Sequence, residues 1–264
     1  MKKIFITGAS GFVGGAVAKR LAPDHWVLAM ARSAESFEKV KNLGVRPVSC
    51  GLDSIEAGTL REFDTVIHCA AYVEPWGKYA DFYEVNVEGT RRLLEAARKA
   101  GVKRFIHIGT EAALFKGQDM MDIDESYPYP EKSPFPYSET KKLAEQLVLR
   151  ANVPGEFETI SIRPRLVWGP GDETILPNLL EMLDMGRFRQ ALDAHTHQSD
   201  IDADRALATQ LGATGTPAVF VNGKYVRGAQ PLAVFQARVD TELAAARALV
   251  RQGVPRARVY ERII

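Results

Sequence analysis

Short apolar runs alternate with amphipathic stretches along the first two thirds of the chain. The apolar runs are bounded by turn residues and predict strands at Lys3–Thr7, His25–Ala31, Val45–Ser49, Thr65–Cys69, Arg104–Ile108 and Glu158–Ile162. Between them, apolar positions with helical spacing predict helices at 12–21, 34–43, 81–100, 137–151 and 174–185. Strands that alternate with helices of this length predict βαβ units. We therefore expect an α/β fold in which helices cover both faces of a doubly wound parallel sheet.

The character of the sequence changes near residue 186. The first 186 residues contain 12 Lys and 11 Arg, whereas the last 78 contain 1 Lys and 10 Arg and are richer in Ala. In this second part, helices are predicted at 187–194, 202–211 and 231–251, and strands at 218–222 and 225–227 around an Asn222-Gly223 hairpin turn. Two domains are therefore expected, residues 1–186 and residues 187–264.

Length and charge narrow the range of partners. A chain of 264 residues with 46% hydrophobic residues can bury a full core. Its net charge of +1 provides no basic field for nucleic acid, so the expected partner is a small-molecule substrate. The apolar run at the N-terminus is interrupted from Gly8 onward, before it reaches the length of a signal-peptide core or a membrane span, so no membrane partner is predicted.

Cysteine and histidine positions argue against disulfides and metals. Cys50 and Cys69 are the only cysteines and form no CxxC pair, so we expect no disulfide framework, no cysteine zinc site and a cytoplasmic location. His195 and His197 have too few partners for a metal site. The histidines that flank or lie in strands are predicted to be packed core residues: His25, His68 and His107.

A glycine-rich turn follows the first predicted strand and opens the first predicted helix. Gly8 can adopt the tight turn, Gly11 lets the backbone approach a pyrophosphate, and Gly14 permits close packing of helix on strand. The N–H groups of a helix N-terminus also favour an anion. This context predicts a Rossmann-type dinucleotide-binding turn, with an ordinary strand-to-helix turn as the alternative. The residues predicted to contact the cofactor here are Gly8, Ser10, Gly11, Phe12, Val13 and Gly14.

Two further residues bear on which dinucleotide is bound. Arg32 follows the second strand, where an acidic residue would normally bind the ribose 2′-hydroxyl, and its guanidinium suits a 2′-phosphate instead. NADP is therefore favoured, although NAD stays possible and a solvated surface arginine is the alternative. Asp53 follows the third strand and is predicted to meet the adenine amino group, with a plain turn aspartate as the alternative.

Tyr137 and Lys141 are the predicted acid–base pair. They lie four positions apart at the start of a predicted helix and so share one face of it. A phenol at its usual pKa is a poor base at neutral pH, and a nearby ammonium group would favour the phenolate. Thr110 follows the fifth strand, at the sheet edge where ligands bind in such folds, and could orient a substrate carbonyl.

Six motifs in this order resemble the extended short-chain dehydrogenases/reductases. They are TGASGFVG at Thr7–Gly14, the run Cys69-Ala70-Ala71, VNVEGT at Val85–Thr90, IGT at Ile108–Thr110, YSETK at Tyr137–Lys141 and RPRLVWGPGD at Arg163–Asp172. The likeness covers about residues 1–186 and is greatest to the epimerase/dehydratase and 3β-hydroxysteroid dehydrogenase-like branch.

The resemblance implies a role for individual residues. It makes Tyr137 the acid/base, Lys141 a ribose ligand and Thr110 the substrate-orienting hydroxyl. It disfavours dehydration, because Glu111 is followed by Ala112 and not by a second acidic residue. The helices at 81–100 and 137–151 commonly form a dimer face in this family, so a homodimer is expected. The remaining residues that it places at the cofactor or the active-site architecture are Ala70, Ala71, Asn86 and Pro164.

From about residue 184 the sequence instead resembles the C-terminal part of thioredoxin-fold disulfide oxidoreductases of the periplasmic type. The stretch DADRALATQLGATGTPAVFVNGKYVRGAQPLAVF carries this likeness, which extends over about 184–264. It implies a cis bond at Thr216-Pro217, and without a CxxC pair it implies no redox activity. The usual substrate lobe of the first family is then replaced, and the chain resembles a chimera, whether natural, engineered or erroneous.

Three functions follow as hypotheses. The leading one is an NAD(P)-dependent oxidoreductase that transfers hydride between nicotinamide and an alcohol or ketone, including sugar-nucleotide or sterol-like substrates, with tyrosine as acid/base. The second is a non-catalytic NADP-binding module, or a chimera with impaired turnover. The third is a redox-inactive relative of the thioredoxin-fold oxidoreductases. An enzyme is favoured over the other two.

Overall fold

The computed structural model describes residues 1–74, 77–120, 123–169, 171–172, 187–213, 218–228 and 230–263. The chain divides into two compact units, Met1–Pro177 and Asn178–Ile264. The helix predicted at 174–185 and the bond at Thr216-Pro217 lie outside the described residues. The domain boundary predicted at 186 also lies outside the described residues, in 173–186, and stays a prediction.

A six-stranded parallel sheet forms the centre of the first unit. Its strands are β1 Lys3–Thr7, β2 Trp26–Ala31, β3 Arg46–Ser49, β4 Thr65–His68, β5 Arg104–Ile108 and β6 Glu158–Ile162. They lie in the order β3-β2-β1-β4-β5-β6, and every neighbouring pair is parallel. The strand order reverses between β1 and β4, and in such sheets ligands bind at this point, beyond the carboxyl ends of the strands. The predicted doubly wound parallel sheet is confirmed.

Helices cover both faces of this sheet. The α-helices of the first unit are α1 Phe12–Leu21, α2 Ala34–Asn42, α3 Ala57–Leu60, α4 Tyr79–Tyr83, α5 Gly89–Ala100 and α6 Pro136–Arg150. The helix predicted at 81–100 is divided, because a π-helical turn at Glu84–Glu88 joins α4 to α5. Such a turn inserts an extra residue into the helix and changes the direction of its side chains, often at a functional site. Here the turn contains Asn86.

Two apolar clusters hold the helices on the sheet. Alternate side chains of the strands point to opposite faces. Phe5 and Phe105 lie on one face with Leu93 of α5, and Ile4 and Ile67 lie on the other. The central strands β1 and β4 are buried on both faces and are continuous apolar runs in the sequence.

The second unit is built on a hairpin and helices. It contains α7 Arg187–Asp193, α8 Gln198–Gln210, β7 Ala218–Val221, β8 Lys224–Arg227, α9 Leu232–Arg251 and α10 Val259–Ile263. The predicted hairpin turn is present: β7 and β8 are antiparallel, and Asn222 (φ 47°) and Gly223 (φ 71°) both have the positive φ that a two-residue turn of type I′ requires. None of the described helices is both long enough and apolar enough to cross a membrane.

Candidate active site

The glycine turn between β1 and α1 approaches the end of β4 closely. Gly8 has φ +72°, and a Cβ built on it would lie 2.6 Å from the backbone nitrogen of Ala70. A Cβ on Gly14 would overlap the carbonyl oxygen of Gly8. Gly11 caps the helix without a side chain, and its N–H donates to the Gly8 oxygen at 3.0 Å. The turn is therefore formed by backbone alone, as an approaching pyrophosphate requires.

A buried chain of hydrogen bonds links this turn to the π-helical turn. Thr90 Oγ1 donates to the Asn86 carbonyl at 2.6 Å, so it accepts from Nε2 of His68 at 2.9 Å. The other ring nitrogen, Nδ1, then accepts from Thr7 Oγ1 at 2.7 Å, and Thr7 Oγ1 accepts from the Ala70 N–H at 3.2 Å. Each hydroxyl donates once, and this fixes His68 as the neutral tautomer with its proton on Nε2.

Burial explains why the two histidines of the sheet are uncharged. It lowers the pKa of His68 to about 3, with a smaller contribution from the Lys141 charge. Burial also lowers the pKa of His107 well below its usual value, again with Lys141 contributing. Both side chains are 1% exposed, in agreement with the prediction that they are core residues. Among the described residues, no group of three or more His, Cys, Asp or Glu could hold a metal ion.

Asn86 joins the segment after β4 to α6. Its side chain accepts from the Tyr72 N–H at 2.7 Å and donates to the Tyr72 carbonyl at 3.2 Å. It also donates to Thr140 Oγ1 at 3.1 Å. Ala70 and Ala71, both half-buried, immediately precede Tyr72. Asn86 thus fixes the position of this segment, the architectural role that the family resemblance implies for it.

Tyr137 and Thr110 lie side by side. Pro136 begins α6, and the Tyr137 phenol forms a hydrogen bond with the Thr110 side chain. Thr110 Oγ1 also donates to the Glu111 carboxylate at 3.0 Å and accepts from the Ala112 N–H at 3.2 Å. Burial raises the pKa of Tyr137, the Thr110 hydrogen bond lowers it, and the Glu111 charge raises it further.

Lys141 is buried below the same site. It is 3% exposed, and its ammonium donates to the Ile108 carbonyl at 2.9 Å. Burial lowers its pKa to about 8, against the opposing effects of Glu145 and Cys69. We had expected Lys141 to favour the Tyr137 phenolate. The pKa of Tyr137 is raised instead, because removal of the phenol from water outweighs the lowering by the Thr110 hydrogen bond, and the Glu111 charge raises it further.

The loop after β6 meets the Thr110 turn and the glycine turn. The Gly109 N–H donates to the Ile162 carbonyl at 2.7 Å, and the Glu111 N–H donates to the Pro164 carbonyl at 3.4 Å. A Cβ on Gly169 would lie 3.7 Å from the Phe12 ring. The first, fourth and sixth motifs therefore come together at the carboxyl edge of the sheet.

Arg32 and Asp53 lie apart from the catalytic residues. They follow β2 and β3, on the other side of β1 from Thr110, which follows β5. Both side chains are exposed. Asp53 accepts from the Ser54 hydroxyl at 3.2 Å, whereas Arg32 has no ion-pair partner among the described residues. At the glycine turn itself, Ser10 and Gly11 are exposed and Phe12 and Val13 are half-buried.

A cluster of buried charged residues below the site was missed by the sequence reasoning. Glu145, which is 1% exposed, contacts Arg163 at 2.6 Å and Tyr129 at 2.5 Å. Lys142 and Glu139 form a second buried pair at 2.9 Å on the same helix. One signal was available, because Glu145 lies four positions after Lys141 and so shares the inner face of α6.

The sheet order, the glycine turn and the Tyr137–Lys141 pair define a Rossmann-type domain of the extended short-chain dehydrogenase/reductase class. The sequence model of the 3-beta hydroxysteroid dehydrogenase/isomerase family matches residues 5–203, and the chain belongs to this family. A second model, that of the DSBA-like thioredoxin domain, matches residues 171–255. Both resemblances predicted from the sequence are confirmed, and so is the thioredoxin-like character of the C-terminal part.

Individual relatives agree with this assignment. A 4-hydroxy-2-methyl-3-oxo-4-farnesyl-3,4-dihydroquinoline-1-oxide ketoreductase of Stigmatella aurantiaca is 37% identical over 223 residues, which cover 81% of this chain and 66% of the relative. A 2-alkyl-3-oxoalkanoate reductase of Stenotrophomonas maltophilia is 35% identical, covering 71% of this chain and 57% of the relative. The chain thus spans between half and two thirds of the length of these relatives.

A solved structure shares the fold. A short-chain dehydrogenase/reductase superfamily protein from Agrobacterium tumefaciens, crystallised with bound NAD, is 29% identical with a TM-score of 0.53. The match covers 61% of this chain and 48% of that protein.

Proposed function

We propose that the unit Met1–Pro177 binds a nicotinamide dinucleotide and transfers hydride between it and an alcohol or ketone. The observation that carries this proposal is the arrangement of Thr110, Tyr137 and Lys141 at the carboxyl edge of the sheet whose first strand leads into the glycine turn. The close approach of Gly8 to Ala70 leaves a backbone surface without side chains that fits the pyrophosphate. When bound, the nicotinamide supplies or accepts the hydride.

The residues of this chain handle the proton. In the direction of ketone reduction, Tyr137 donates its phenolic proton to the substrate oxygen, and its raised pKa keeps it protonated for this step. The Thr110 hydroxyl turns from Glu111 to the substrate oxygen and orients it. The Lys141 ammonium, which already donates to the Ile108 carbonyl, would hold the cofactor ribose.

NADP(H) is the cofactor that we propose, with NAD(H) bound more weakly. Arg32 supports this preference, because it follows β2 without an ion-pair partner among the described residues and its guanidinium matches a 2′-phosphate. The Ser33 side chain is already engaged by the Ser36 N–H at 3.2 Å, so Arg32 is the group free to meet the adenosine ribose. The Agrobacterium protein binds NAD, and its cofactor does not decide the preference of this chain.

A ketone is the proposed substrate, and reduction the proposed direction. The two relatives above are named as a ketoreductase and a 3-oxoalkanoate reductase, and both are more than a third identical to this chain. The alternative is binding without turnover. It is favoured by the match to the DSBA-like domain, which begins at residue 171 and overlaps the family match over 171–203. A disulfide-exchange activity is disfavoured, because residues 171–255 contain no cysteine.

A titration with NADPH and NADH tests the proposal first. Nicotinamide fluorescence measures the affinity, and a bound ligand raises the melting temperature because it binds only the folded state. Ketone reduction is then measured with Tyr137→Phe beside the unchanged chain. Loss of turnover with unchanged affinity supports the proposal. Affinity without any turnover supports the binding module, and absence of binding to either cofactor refutes both.

A homodimer is the proposed assembly, formed through α5 and α6. A groove of about 190 Å³ between these helices is lined by Tyr83, Val87, Glu88, Arg91, Leu143, Leu147 and Arg150. Its apolar floor between charged margins is typical of an interface. Light scattering after size exclusion should give twice the chain mass, and the mass of a single chain for Leu143→Glu. Leu149→Glu, on the same helix but outside the groove, is the matched control.

A further inference from the structure

The Glu145 carboxylate is buried, and both of its oxygens accept hydrogen bonds. Its Oε1 accepts from the Tyr129 hydroxyl at 2.5 Å and from the Arg163 Nε at 2.7 Å, and its Oε2 accepts from the Ser161 hydroxyl at 3.0 Å. These donors come from the segment before α6, from β6 and from the loop after β6. A buried carboxylate is stable only when it is paired and hydrogen-bonded in this way.

This carboxylate also lies directly beneath the Thr110 turn. A Cβ built on Gly109 would lie 2.8 Å from Glu145 Oε2 and 2.8 Å from Ser161 Oγ. Only glycine therefore fits between β5 and Thr110 while Glu145 keeps its position. Arg163, the cation that pairs with Glu145, is followed by Pro164. The Glu145 side chain thus contacts both the turn that carries Thr110 and the segment that carries Pro164, which border the predicted nicotinamide site.

Lys141 is the second cation on which the Glu145 charge acts. The two residues lie one turn apart on the inner face of α6, and the carboxylate charge raises the pKa of Lys141 against the effect of burial. The other titratable groups around Lys141 are uncharged: burial raises the pKa of the Cys69 thiol to about 12 and lowers that of His68 to about 3. His107 is neutral for the same reason.

We propose that Glu145 is a positioning residue for the function proposed above: it supplies the negative charge that faces the Lys141 ammonium and fixes the turns that carry Thr110 and Pro164. The inference rests on the proposed function for its effect on the cofactor. Its effect on Lys141 does not, because that interaction is present in the chain itself.

Cofactor affinity as a function of pH is the first test. In the unchanged chain, NADPH affinity should fall as pH rises through the Lys141 pKa of about 8. In Glu145→Gln the same fall should occur about one pH unit lower, so that affinity near pH 8 is about fivefold weaker. Glu158→Gln, which removes the carboxylate of an exposed pair with Arg104, is the matched control and should leave the midpoint unchanged. A uniform loss of affinity at every pH would overturn the proposal and leave Glu145 a structural residue.

Unfolding free energy as a function of pH is the second test, and it needs no cofactor. Lys141 has a lower pKa in the folded chain than in the unfolded chain, so stability increases as pH rises from about 8 toward 10.5. Glu145→Gln should lower the folded pKa further, so its stability deficit should be larger at pH 6 than at pH 9. In a Lys141→Met background that difference should vanish. An equal deficit at both pH values in both backgrounds would contradict the proposal.

These two measurements separate the proposal from the function on which it rests. If the unchanged chain binds neither cofactor, the proposed function fails, and the unfolding measurements still decide whether Glu145 acts on Lys141. If Glu145→Gln does not fold, Glu145→Asp replaces it, because the shorter side chain withdraws the charge from Lys141 without removing it. The shifts in the pH dependence of cofactor affinity and of stability are then expected in the same direction but should be smaller.

Discussion

Thr110 donates its only hydroxyl hydrogen to the neighbouring Glu111 carboxylate, at 3.0 Å, while its oxygen lies within hydrogen-bonding distance of Tyr137. The hydrogen bond of Thr110 lowers the pKa of Tyr137, whereas the negative charge of Glu111 raises it. Glu111 therefore acts on Tyr137 by placing a negative charge near the phenol. This charge favours the protonated phenol, the form needed to protonate a substrate oxygen.

The first prediction concerns Glu111→Gln. Removing the charge should lower the pKa of Tyr137, because the Glu111 charge raises it. The measurement is the ultraviolet absorbance of tyrosinate as a function of pH. The titration of Tyr137 is the difference between the curve of Glu111→Gln and the curve of the same chain with Tyr137→Phe added. In a turnover assay, the alkaline limit of ketone reduction should move to lower pH. An unchanged phenol titration would show that Glu111 does not influence Tyr137.

The second prediction concerns Gly14→Ala in the glycine turn. The new Cβ would overlap the Gly8 carbonyl oxygen, and neither backbone segment can move without displacing β1 or α1. We expect a loss of about 3 kcal/mol in unfolding free energy and no measurable cofactor affinity. Gly58→Ala is the control, because a Cβ on Gly58 in α3 meets no atom within 4 Å. That substitution should be neutral or stabilise the chain by up to about 1 kcal/mol, as measured by urea unfolding.

The parts of the fold that follow from local pattern could be predicted from the sequence. Strands β1, β5 and β6 begin and end where the sequence predicts them, because turn residues bound the runs. The short helix Ala57–Leu60 is too short to have a period, so no pattern could reveal it. The π-helical turn was also missed; its Asn86 forms hydrogen bonds with Tyr72 and Thr140, which come from other segments, and no local pattern reveals them.

The same limit applies to the candidate site. The spacing of the glycines in the turn after β1 and the spacing of Tyr137 and Lys141 are local, so the sequence alone predicts them. Glu145, Arg163 and Tyr129, in contrast, come together only in the tertiary fold. A glutamate on an amphipathic helix is ordinarily solvated. Only the donors brought by β6 and the neighbouring loops make it a buried charge.

The third prediction concerns His68, whose two nitrogens bond to Thr7 and Thr90. His68→Leu leaves these buried hydroxyls without their partner and should cost roughly 2–4 kcal/mol at pH 7. The pKa of His68 is about 3 in the folded chain and about 6.5 when unfolded, so its protonation destabilises the fold as pH falls below 6.5. The free energy of unfolding is measured in urea at several pH values between 6.5 and 4. Its fall with decreasing pH should be less steep in His68→Leu, by the equivalent of about one proton.

The fourth prediction concerns His107, the neighbour of His68 in the register of β4 and β5. Neither of its buried ring nitrogens has a hydrogen-bond partner among the described residues. Replacement by leucine removes unsatisfied polar atoms and abandons no partner, so His107→Leu should be neutral or stabilising by up to about 1 kcal/mol. The opposite signs expected for His107→Leu and His68→Leu are checked in one set of urea unfolding curves. A large destabilisation by His107→Leu would indicate a buried water or another partner at the ring.

The last prediction concerns cofactor preference and Arg32→Asp. An acidic side chain after β2 repels a 2′-phosphate and accepts a hydrogen bond from a 2′-hydroxyl. NADPH affinity should fall at least about tenfold and NADH affinity should rise, since a change of charge at a phosphate contact is worth about 1.4 kcal/mol or more. Arg61→Asp makes the same charge change at an exposed residue near the amino edge of the sheet, between α3 and β4. If both substitutions weaken NADPH equally, the effect is one of net charge, and Arg32 does not contact the phosphate.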